Sequence, residues 1–133
     1  MKYWIFITNE DNWKIIRDNE IYGFNEKTKR DSNKLSVGDL VVIYIKGKLI
    51  GGIFEIISLN EQTKIKFKES DYPYKIKLRK IFVPNHPLEF TKDMINQISI
   101  FKNKIRWGTI LMGRATKEIE KTDFHYIKKI LKN

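Results

Sequence analysis

The stretch LVVIYIKGKLIGGIFEII, residues 40–57, decides the fold class. Leu40–Ile45 is a six-residue apolar run that is too short for a lone helix and typical of a buried strand. Lys46-Gly47-Lys48 predicts a hairpin, because glycine takes a positive φ without steric cost. Leu49–Ile57 predicts the returning strand, and Gly51-Gly52 within it indicates a bulge or a place where another backbone approaches closely. Such hairpins argue against the regular strand–helix alternation of a doubly wound parallel sheet.

The residues before this hairpin predict a strand, a helix and a loop. Tyr3–Ile7 is a continuous aromatic and β-branched run, which is typical of a buried strand. Thr8-Asn9 offers capping oxygens for a short helix over Asp11–Asn19. Ile21–Phe24 is then an isolated apolar segment, and the polar residues Asn25–Lys34 predict an exposed loop.

The residues after the hairpin predict further strands and two helices. Tyr74–Val83 alternates, so we expect Ile76 and Leu78 on one face of a strand and a basic face opposite, formed by Lys75, Lys77 and Arg79. The other predicted elements are a short strand at Lys64–Lys68, a helix capped by Thr91 and ending near Ile98, a basic connector Lys102–Arg106, a last strand Trp107–Met112, and a final helix capped by Thr122-Asp123. The order favours one α+β domain over residues 1–133, a small mixed β-barrel of about five to six strands with about three flanking helices.

The composition limits the function classes. The chain has 133 residues, no cysteine, and 26 basic against 16 acidic residues, which gives a net charge of +10 and a pI near 9.7. Without cysteine, disulfides, thiol catalysis and sulfur-containing zinc sites are excluded. A domain this basic has the charge of a nucleic-acid binder. Most of its basic residues are lysines, however, among many isoleucines and asparagines, and A·T-rich coding produces the same mix. A merely solvated basic surface therefore remains the alternative.

Motifs for catalysis, cofactors and membranes are missing from the sequence. No glycine-rich phosphate-binding loop is present, and His86 and His125 have no plausible serine nucleophile beside them, so we interpret both as structural or surface residues. An enzyme would need a carboxylate such as Glu55 or Asp39 to face a pocket, and Asp39 is more simply a turn residue. No run of 18 apolar residues and no signal peptide are found. We therefore expect a non-enzymatic cytoplasmic protein without metal, cofactor or membrane partner.

Two aromatic residues are candidates for ligand contact. Tyr22 stands beside a glycine at the start of the charged loop, and Trp107 stands between Arg106 and Gly108. A ring next to glycine and a cation suits a nucleobase and its phosphate, because base–aromatic stacking contributes about 1–3 kcal/mol per base. The alternative for both is a structural position in the core.

The sequence resembles the EVE domain family, and more narrowly its small stand-alone prokaryotic members of the UPF0310 group. The resemblance covers nearly the whole chain. It rests on the order and spacing of Tyr3-Trp4-Ile5, Trp13, Tyr22-Gly23-Phe24, Val37-Gly38-Asp39-Leu40, Tyr44, Ile50-Gly51-Gly52-Ile53, Glu55-Ile56, Tyr72-Pro73-Tyr74, Lys104-Ile105-Arg106-Trp107 and Gly113-Arg114-Ala115. It implies a PUA-like β-barrel related to YTH domains, which read a methylated adenine in RNA.

The function implied by the resemblance is binding of RNA or modified DNA, with a modified base flipped into an aromatic pocket. Tyr22 occupies the position where the family usually has tryptophan. The residues implied for the base pocket are Tyr22, Gly23, Phe24, Asn25, Ser32 and Trp107, and those implied for phosphate are Lys34, Arg106 and Arg114. We expect Tyr22→Ala to abolish selectivity and leave the fold intact.

Two alternatives remain open at this point. One is a general RNA-binding module without modified-base selectivity, whose affinity falls steeply with salt. The other is a small-molecule or protein-interaction domain, whose positive charge is compositional. The sequence also leaves open whether the protein is a monomer or a dimer.

Overall fold

The computed structural model describes residues 1–25, 27–61, 67, 72–99, 101 and 115–133. In that part of the chain the elements are β1 (Tyr3–Thr8), α1 (Glu10–Asn19), β2 (Ile21–Phe24), α2 (Lys29–Ser32), β3 (Leu40–Ile45), β4 (Leu49–Ser58), β5 (Tyr74–Phe82), β6 (Leu88–Glu89), α3 (Lys92–Ile95), β7 (Thr116–Ile119) and α4 (Lys121–Lys132). None of the helices in these ranges is long and apolar enough to cross a bilayer.

The strands form one mixed sheet in the order β2-β5-β4-β3-β1-β7, and the two-residue β6 also pairs with β4. The β1–β3 pair is parallel, whereas every other described pair is antiparallel. The sheet curls into a half-barrel, and helices pack on both of its faces. The predicted α+β class and barrel-like architecture are therefore confirmed.

The two faces of the sheet carry separate cores, because side chains alternate along each strand. Trp4 and Phe6 of β1 pack with Trp13 and Ile16 of α1 in one core, which we call the α1 side. The intervening residues of β1 pack on the opposite face with α3 and α4, which we call the α4 side. Its members include Ile5, Ile7, Ile95, Phe124, Ile127 and Leu131.

The central hairpin forms as predicted. Gly47 has a φ of 107°, the left-handed conformation that this turn requires. In the β3–β4 pair Ile43 faces Gly52 and Tyr44 faces Ile50, so Gly51 is the extra residue of a bulge. A Cβ on Gly51 would lie 2.8 Å from three ring atoms of Trp13. A Cβ on Gly52 would lie 2.9 Å from the backbone oxygen of Phe82, so the predicted bulge and the predicted close approach of another backbone are both confirmed.

Several helix boundaries differ from the prediction. α1 begins as expected, since the Asn9 side chain accepts a hydrogen bond from the Asn12 amide at 2.8 Å. The predicted cap of the last helix, Thr122-Asp123, is wrong, because α4 begins after Glu120. Asp123 is instead buried, and its carboxylate accepts hydrogen bonds from the amide and the hydroxyl of Ser99. α3 ends at Ile95, and turns replace the helix that we expected to continue to Ile98.

Short strands were also missed. Ile21–Phe24, interpreted as an isolated apolar segment, is β2 and pairs with β5. Thr116–Ile119 is β7 and pairs with β1. The predicted loop Asn25–Lys34 contains the single-turn helix α2. The strands predicted at Lys64–Lys68 and Trp107–Met112 lie outside the described residues, apart from Phe67.

Candidate nucleic-acid interface

Tyr22 joins the two ends of the curled sheet. Its hydroxyl lies 2.6 Å from the Ile7 carbonyl of β1 and 3.1 Å from the carbonyl of Ala115, which immediately precedes β7. Its ring is only 5% exposed and packs against Phe6 and Phe24, with centroid separations of 4.6 and 5.1 Å. Burial raises the pKa of this hydroxyl far above its ordinary value, and the nearby Tyr72 and Asp31 raise it further. Tyr22 is therefore a neutral hydrogen-bond donor at the seam of the half-barrel, by which we mean the contact of β2 with β1 and Ala115.

The exposed orientation expected for Tyr22 is therefore not the one observed. An aromatic residue next to a glycine and a polar loop indicates accessibility, but β2 turns this ring into the α1 side of the sheet. Phe24, two residues further along the same strand, shares that face and is fully buried. The part that these two residues play in binding a base stays a prediction. In this arrangement they form the floor of the candidate interface.

Ala115 is held by three neighbouring segments. Its carbonyl accepts hydrogen bonds from the Ile7 amide at 2.8 Å and from the Tyr22 hydroxyl. Its amide lies 3.4 Å from a carboxylate oxygen of Asp31, which belongs to α2. β1, β2 and α2 thus converge on one residue of the chain.

Two aromatic residues cover β2 beside Gly23. A Cβ on Gly23 would lie 2.6 Å from the Tyr72 Cβ and 2.7 Å from the Phe67 ring, so only glycine fits beneath them. The Phe67 and Tyr72 rings meet edge to face at 5.3 Å. Tyr72 has a φ of 42°, in the left-handed region that non-glycine residues rarely adopt. We call Phe67 and Tyr72 the aromatic cover.

The rim of the interface carries a cation and a compact polar turn. The Lys29 ammonium lies 4.5 Å from the centre of the half-buried Tyr74 ring, which is cation–π geometry. The Asn25 side-chain oxygen accepts hydrogen bonds from the amide and the hydroxyl of Thr28. Ser32 donates to the Lys29 carbonyl at 2.6 Å. Asn25 and Ser32 therefore fix the loop in this structure, and edge contacts to a base remain a prediction for both.

The phosphate-binding residues expected from the sequence are described only in part. Lys34 is exposed beyond α2. Arg106, Trp107 and Arg114 lie outside the described residues, as does the connector Lys102–Arg106, so their roles remain predictions.

The basic face predicted for β5 is only partly free. Lys75 is buried rather than exposed, which corrects the expected alternation at the end of the strand. The Lys77 ammonium donates to the Asn19 carbonyl at 3.2 Å, where it neutralises the carboxyl end of α1. Arg79 pairs with Glu55 of β4. These contacts hold the sheet and the helix together, which reduces what the face offers to a polyanion.

The carboxylates that a catalytic function would need have structural partners. Asp39 is 2% exposed and accepts hydrogen bonds from the Lys2 amide, the Trp4 indole N–H and the Ser36 amide at 2.9–3.0 Å. It is more than the turn residue expected from Gly38-Asp39. His86 and His125 are both exposed, and His125 lies beside Tyr3 and Phe124 with ring separations of 6.2 and 5.7 Å.

Sequence reasoning missed the burial of two polar residues and the contact of two aromatic residues with β2. Thr8 and Asn12 are buried polar side chains at the end of β1 and in the first turn of α1. Phe67 and Tyr72 form the aromatic cover. Asn12 lies four residues before the buried Ile16 and so shares its face of α1, which was the available signal for its burial. No local pattern connects residues 67 and 72 with Gly23.

The family model for the EVE domain matches residues 2–130 of this chain. The chain belongs to the EVE domain family. A UPF0310 protein of Pyrococcus abyssi is 34% identical over 146 residues, which cover 98% of this chain and 100% of that relative. A UPF0310 protein of Pyrococcus horikoshii is 33% identical, covering 98% of this chain and 99% of that relative.

Solved structures of YTH domains share the fold of this EVE domain. The Pho92 YTH domain in complex with m6A aligns with a TM-score of 0.70 at 19% identity, over 99% of this chain and 84% of that chain. The YTH domain of the Zygosaccharomyces rouxii MRB1 protein, in complex with N6-methyladenosine RNA, aligns with a TM-score of 0.67 at 20% identity, over 98% and 87%. The expected relation to YTH domains is confirmed at the level of the fold.

Proposed function

We propose that this EVE domain is a non-enzymatic reader of a modified base in nucleic acid, and that the base binds at the aromatic cluster around β2. The observation that carries the proposal is this cluster of Tyr22, Phe24, Phe67, Tyr72 and Tyr74, set in a fold shared with YTH domains in complex with m6A or N6-methyladenosine RNA. The net charge of +10 supports a polyanionic partner.

The energetics of such a site are favourable when the lost stacking is replaced. A base that leaves the stack loses a few kcal/mol of pairing and stacking, and aromatic rings in a pocket restore the stacking component. A buried methyl group adds about 0.8 kcal/mol of apolar burial, which corresponds to about fourfold in affinity. The rings therefore hold the flipped base where its methyl group is buried, so the loss of a ring lowers the preference for the modified base as well as the affinity.

Reaching the floor requires a rearrangement at β2. Tyr22 and Phe24 are covered in this structure, and the aromatic cover fills the space over Gly23. In the proposed complex the base displaces this cover, while Lys29 and Lys34 at the rim contact its phosphates. Asn25 and Ser32 then supply polar contacts to the base edge, and Trp107 with Arg106 and Arg114 completes the site.

The test separates the Tyr22 ring from the Tyr22 hydroxyl. Tyr22→Ala is unsuitable because it empties a buried site, so we would compare Tyr22→Phe with Tyr22→Leu. Both lose the hydrogen bonds to Ile7 and Ala115, but only phenylalanine keeps an aromatic face. Binding is measured by fluorescence anisotropy, with RNA and DNA oligonucleotides that carry or lack N6-methyladenine or 5-methylcytosine, at two salt concentrations.

The proposal expects one modified oligonucleotide to be preferred at both salt concentrations. Tyr22→Phe keeps that preference, and Tyr22→Leu binds the modified oligonucleotide about tenfold more weakly, since stacking contributes about 1–3 kcal/mol. Equal binding of all oligonucleotides that vanishes at the higher salt contradicts the proposal and leaves the general RNA-binding module. Salt-independent absence of binding leaves the small-molecule or protein-interaction domain.

A further inference from the structure

The exposed surface of α4 is a continuous basic stripe. Lys121, His125, Lys128, Lys129 and Lys132 follow one another at spacings of one helical turn or less, within about 100° of arc. Over eleven residues the stripe is about 17 Å long. The only acidic residue of α4, Asp123, is buried against Ser99 on another face. We call these five residues the α4 stripe.

Lysine-rich composition alone does not explain the α4 stripe. α1 is the other long helix described, and its surface mixes Glu10, Asp11 and Asp18 with Lys14 and Arg17. There Arg17 pairs with Asp18 at 2.9 Å. In the described part of the chain no residue of the α4 stripe forms an ion pair with a carboxylate. The charges of α4 are thus both segregated and uncompensated.

The basic surface continues past the amino end of α4. Lys2 and Lys117 line a groove of about 600 Å³ together with Lys121. Glu118 and Glu120 also line this groove, so its lining is mixed in charge, unlike the α4 stripe.

We propose that the α4 stripe binds the phosphate backbone of a nucleic acid, independently of the base read at β2. Its length matches about five successive phosphates of one strand, which are spaced 3.4 Å apart along a duplex axis. It lies on the α4 side of the sheet, whereas the candidate base site lies on the α1 side. The inference deepens the proposed function by adding a second contact surface, but its test does not depend on selectivity for a modified base.

A phosphate backbone fits this surface better than an anionic membrane does. A basic amphipathic helix binds membranes by inserting its apolar face. In this domain Phe124, Ile127 and Leu131 are already buried in the core of the α4 side. The α4 stripe is therefore available for charge pairing without insertion, which is how lysines contact phosphates.

The experiment compares two variants of equal net charge. The stripe variant replaces Lys121, Lys128, Lys129 and Lys132 by glutamine. The control variant replaces the exposed Lys14, Lys46, Lys48 and Lys80 by glutamine, on other elements. Affinity for an unmodified duplex and an unmodified single strand is measured against salt concentration, and circular dichroism confirms that both variants fold.

We expect the stripe variant to reduce the magnitude of the slope of log affinity against log salt by about 3–4, because each of the four lost phosphate contacts removes about 0.7–0.9. The control variant lowers it by less than 1. Equal slopes in the two variants overturn the inference. It is also overturned if the wild type binds phosphatidylserine vesicles, the stripe variant does not, and both bind nucleic acid equally well. If the wild type binds modified and unmodified oligonucleotides equally, the proposed reader function fails, but the slopes still test the stripe.

Discussion

The two sides of the sheet differ in the kinds of side chain that they bury. The α1 side buries hydrogen-bonding groups, namely the Tyr22 hydroxyl, the Asp39 carboxylate and the Trp4 indole, and each has a partner. The α4 side is filled by aliphatic and aromatic side chains around Asp123, and it presents charge only at its surface. Directional groups discriminate between ligands, whereas exposed charge attracts any polyanion. In the two proposals made above, selectivity for a base belongs to the α1 side and attraction of a polyanion belongs to the α4 side.

The largest expected effect contrasts one tyrosine from each side. Tyr22→Ala should lower the free energy of unfolding by about 3–5 kcal/mol, since it empties a buried aromatic site and removes the link between β1, β2 and β7. The initial expectation that this variant leaves the fold intact is replaced by this one. Tyr126→Ala on the half-buried face of α4 should cost about 1–2 kcal/mol. Urea unfolding measures both, and equal losses would remove the special role of Tyr22 in the seam.

The buried aspartates give the next contrast. Asp39→Ala leaves three donors without their acceptor and should cost about 3 kcal/mol, whereas Asp123→Ala leaves the two donors of Ser99 and should cost about 2 kcal/mol. The exposed Asp18→Ala is the control, expected within about 0.5 kcal/mol of the wild type. A larger loss for Asp123 than for Asp39 would contradict the view that the α1 side holds the critical polar contacts.

A third contrast concerns packing on the α1 side. Gly51→Ala should cost about 1–3 kcal/mol, because the added methyl group meets the six-membered ring of Trp13. Trp13→Phe removes that part of the indole, so the double variant should lose less than the sum of the two single losses. A double-mutant cycle by urea unfolding measures the coupling. Strict additivity would show that the two residues do not compete for the same space.

The smallest expected effect is a pH dependence. Burial raises the pKa of Tyr22 in the folded state, so the neutral form is favoured and its contribution to stability is complete below the unfolded pKa near 10. Stability therefore falls as the pH rises above 10, and Tyr22→Phe should flatten that fall. Burial also raises the pKa of Tyr44 on the α4 side, but the backbone N–H of Lys48 opposes the shift. Tyr44→Phe should accordingly flatten the fall less.

Local patterns explain which parts of the fold could be predicted. The β3–β4 hairpin follows from two apolar runs around Gly47, and the bulge follows from Gly51-Gly52, because turn and strand signals lie within a few residues of one another. β2 and β7 have only four residues each, and they are strands because they pair with β5 and β1. Such pairing is set by the tertiary structure, so a four-residue segment has too little sequence pattern to predict it.

The candidate site was predictable in position more than in orientation. The Tyr22-Gly23-Phe24 motif drew attention to the segment that carries the aromatic cluster, although the strand β2 itself was missed. That the Tyr22 hydroxyl meets Ala115, 93 residues away, is a long-range contact that no local spacing encodes. The α4 stripe, by contrast, is the complement of the apolar periodicity in Phe124, Ile127 and Leu131, so helical spacing alone contains the signal for it.

The most direct test of this division is the affinity of the wild type, Tyr22→Leu and the four-lysine stripe variant for a modified and an unmodified oligonucleotide across a salt series. We predict that Tyr22→Leu loses the ratio between the two oligonucleotides and keeps the salt slope. The stripe variant keeps the ratio and has a shallower salt slope, because only the phosphate contacts of the α4 stripe are removed. A wild-type ratio of one, or two variants that change ratio and slope together, would contradict the assignment of selectivity and attraction to opposite sides of the sheet.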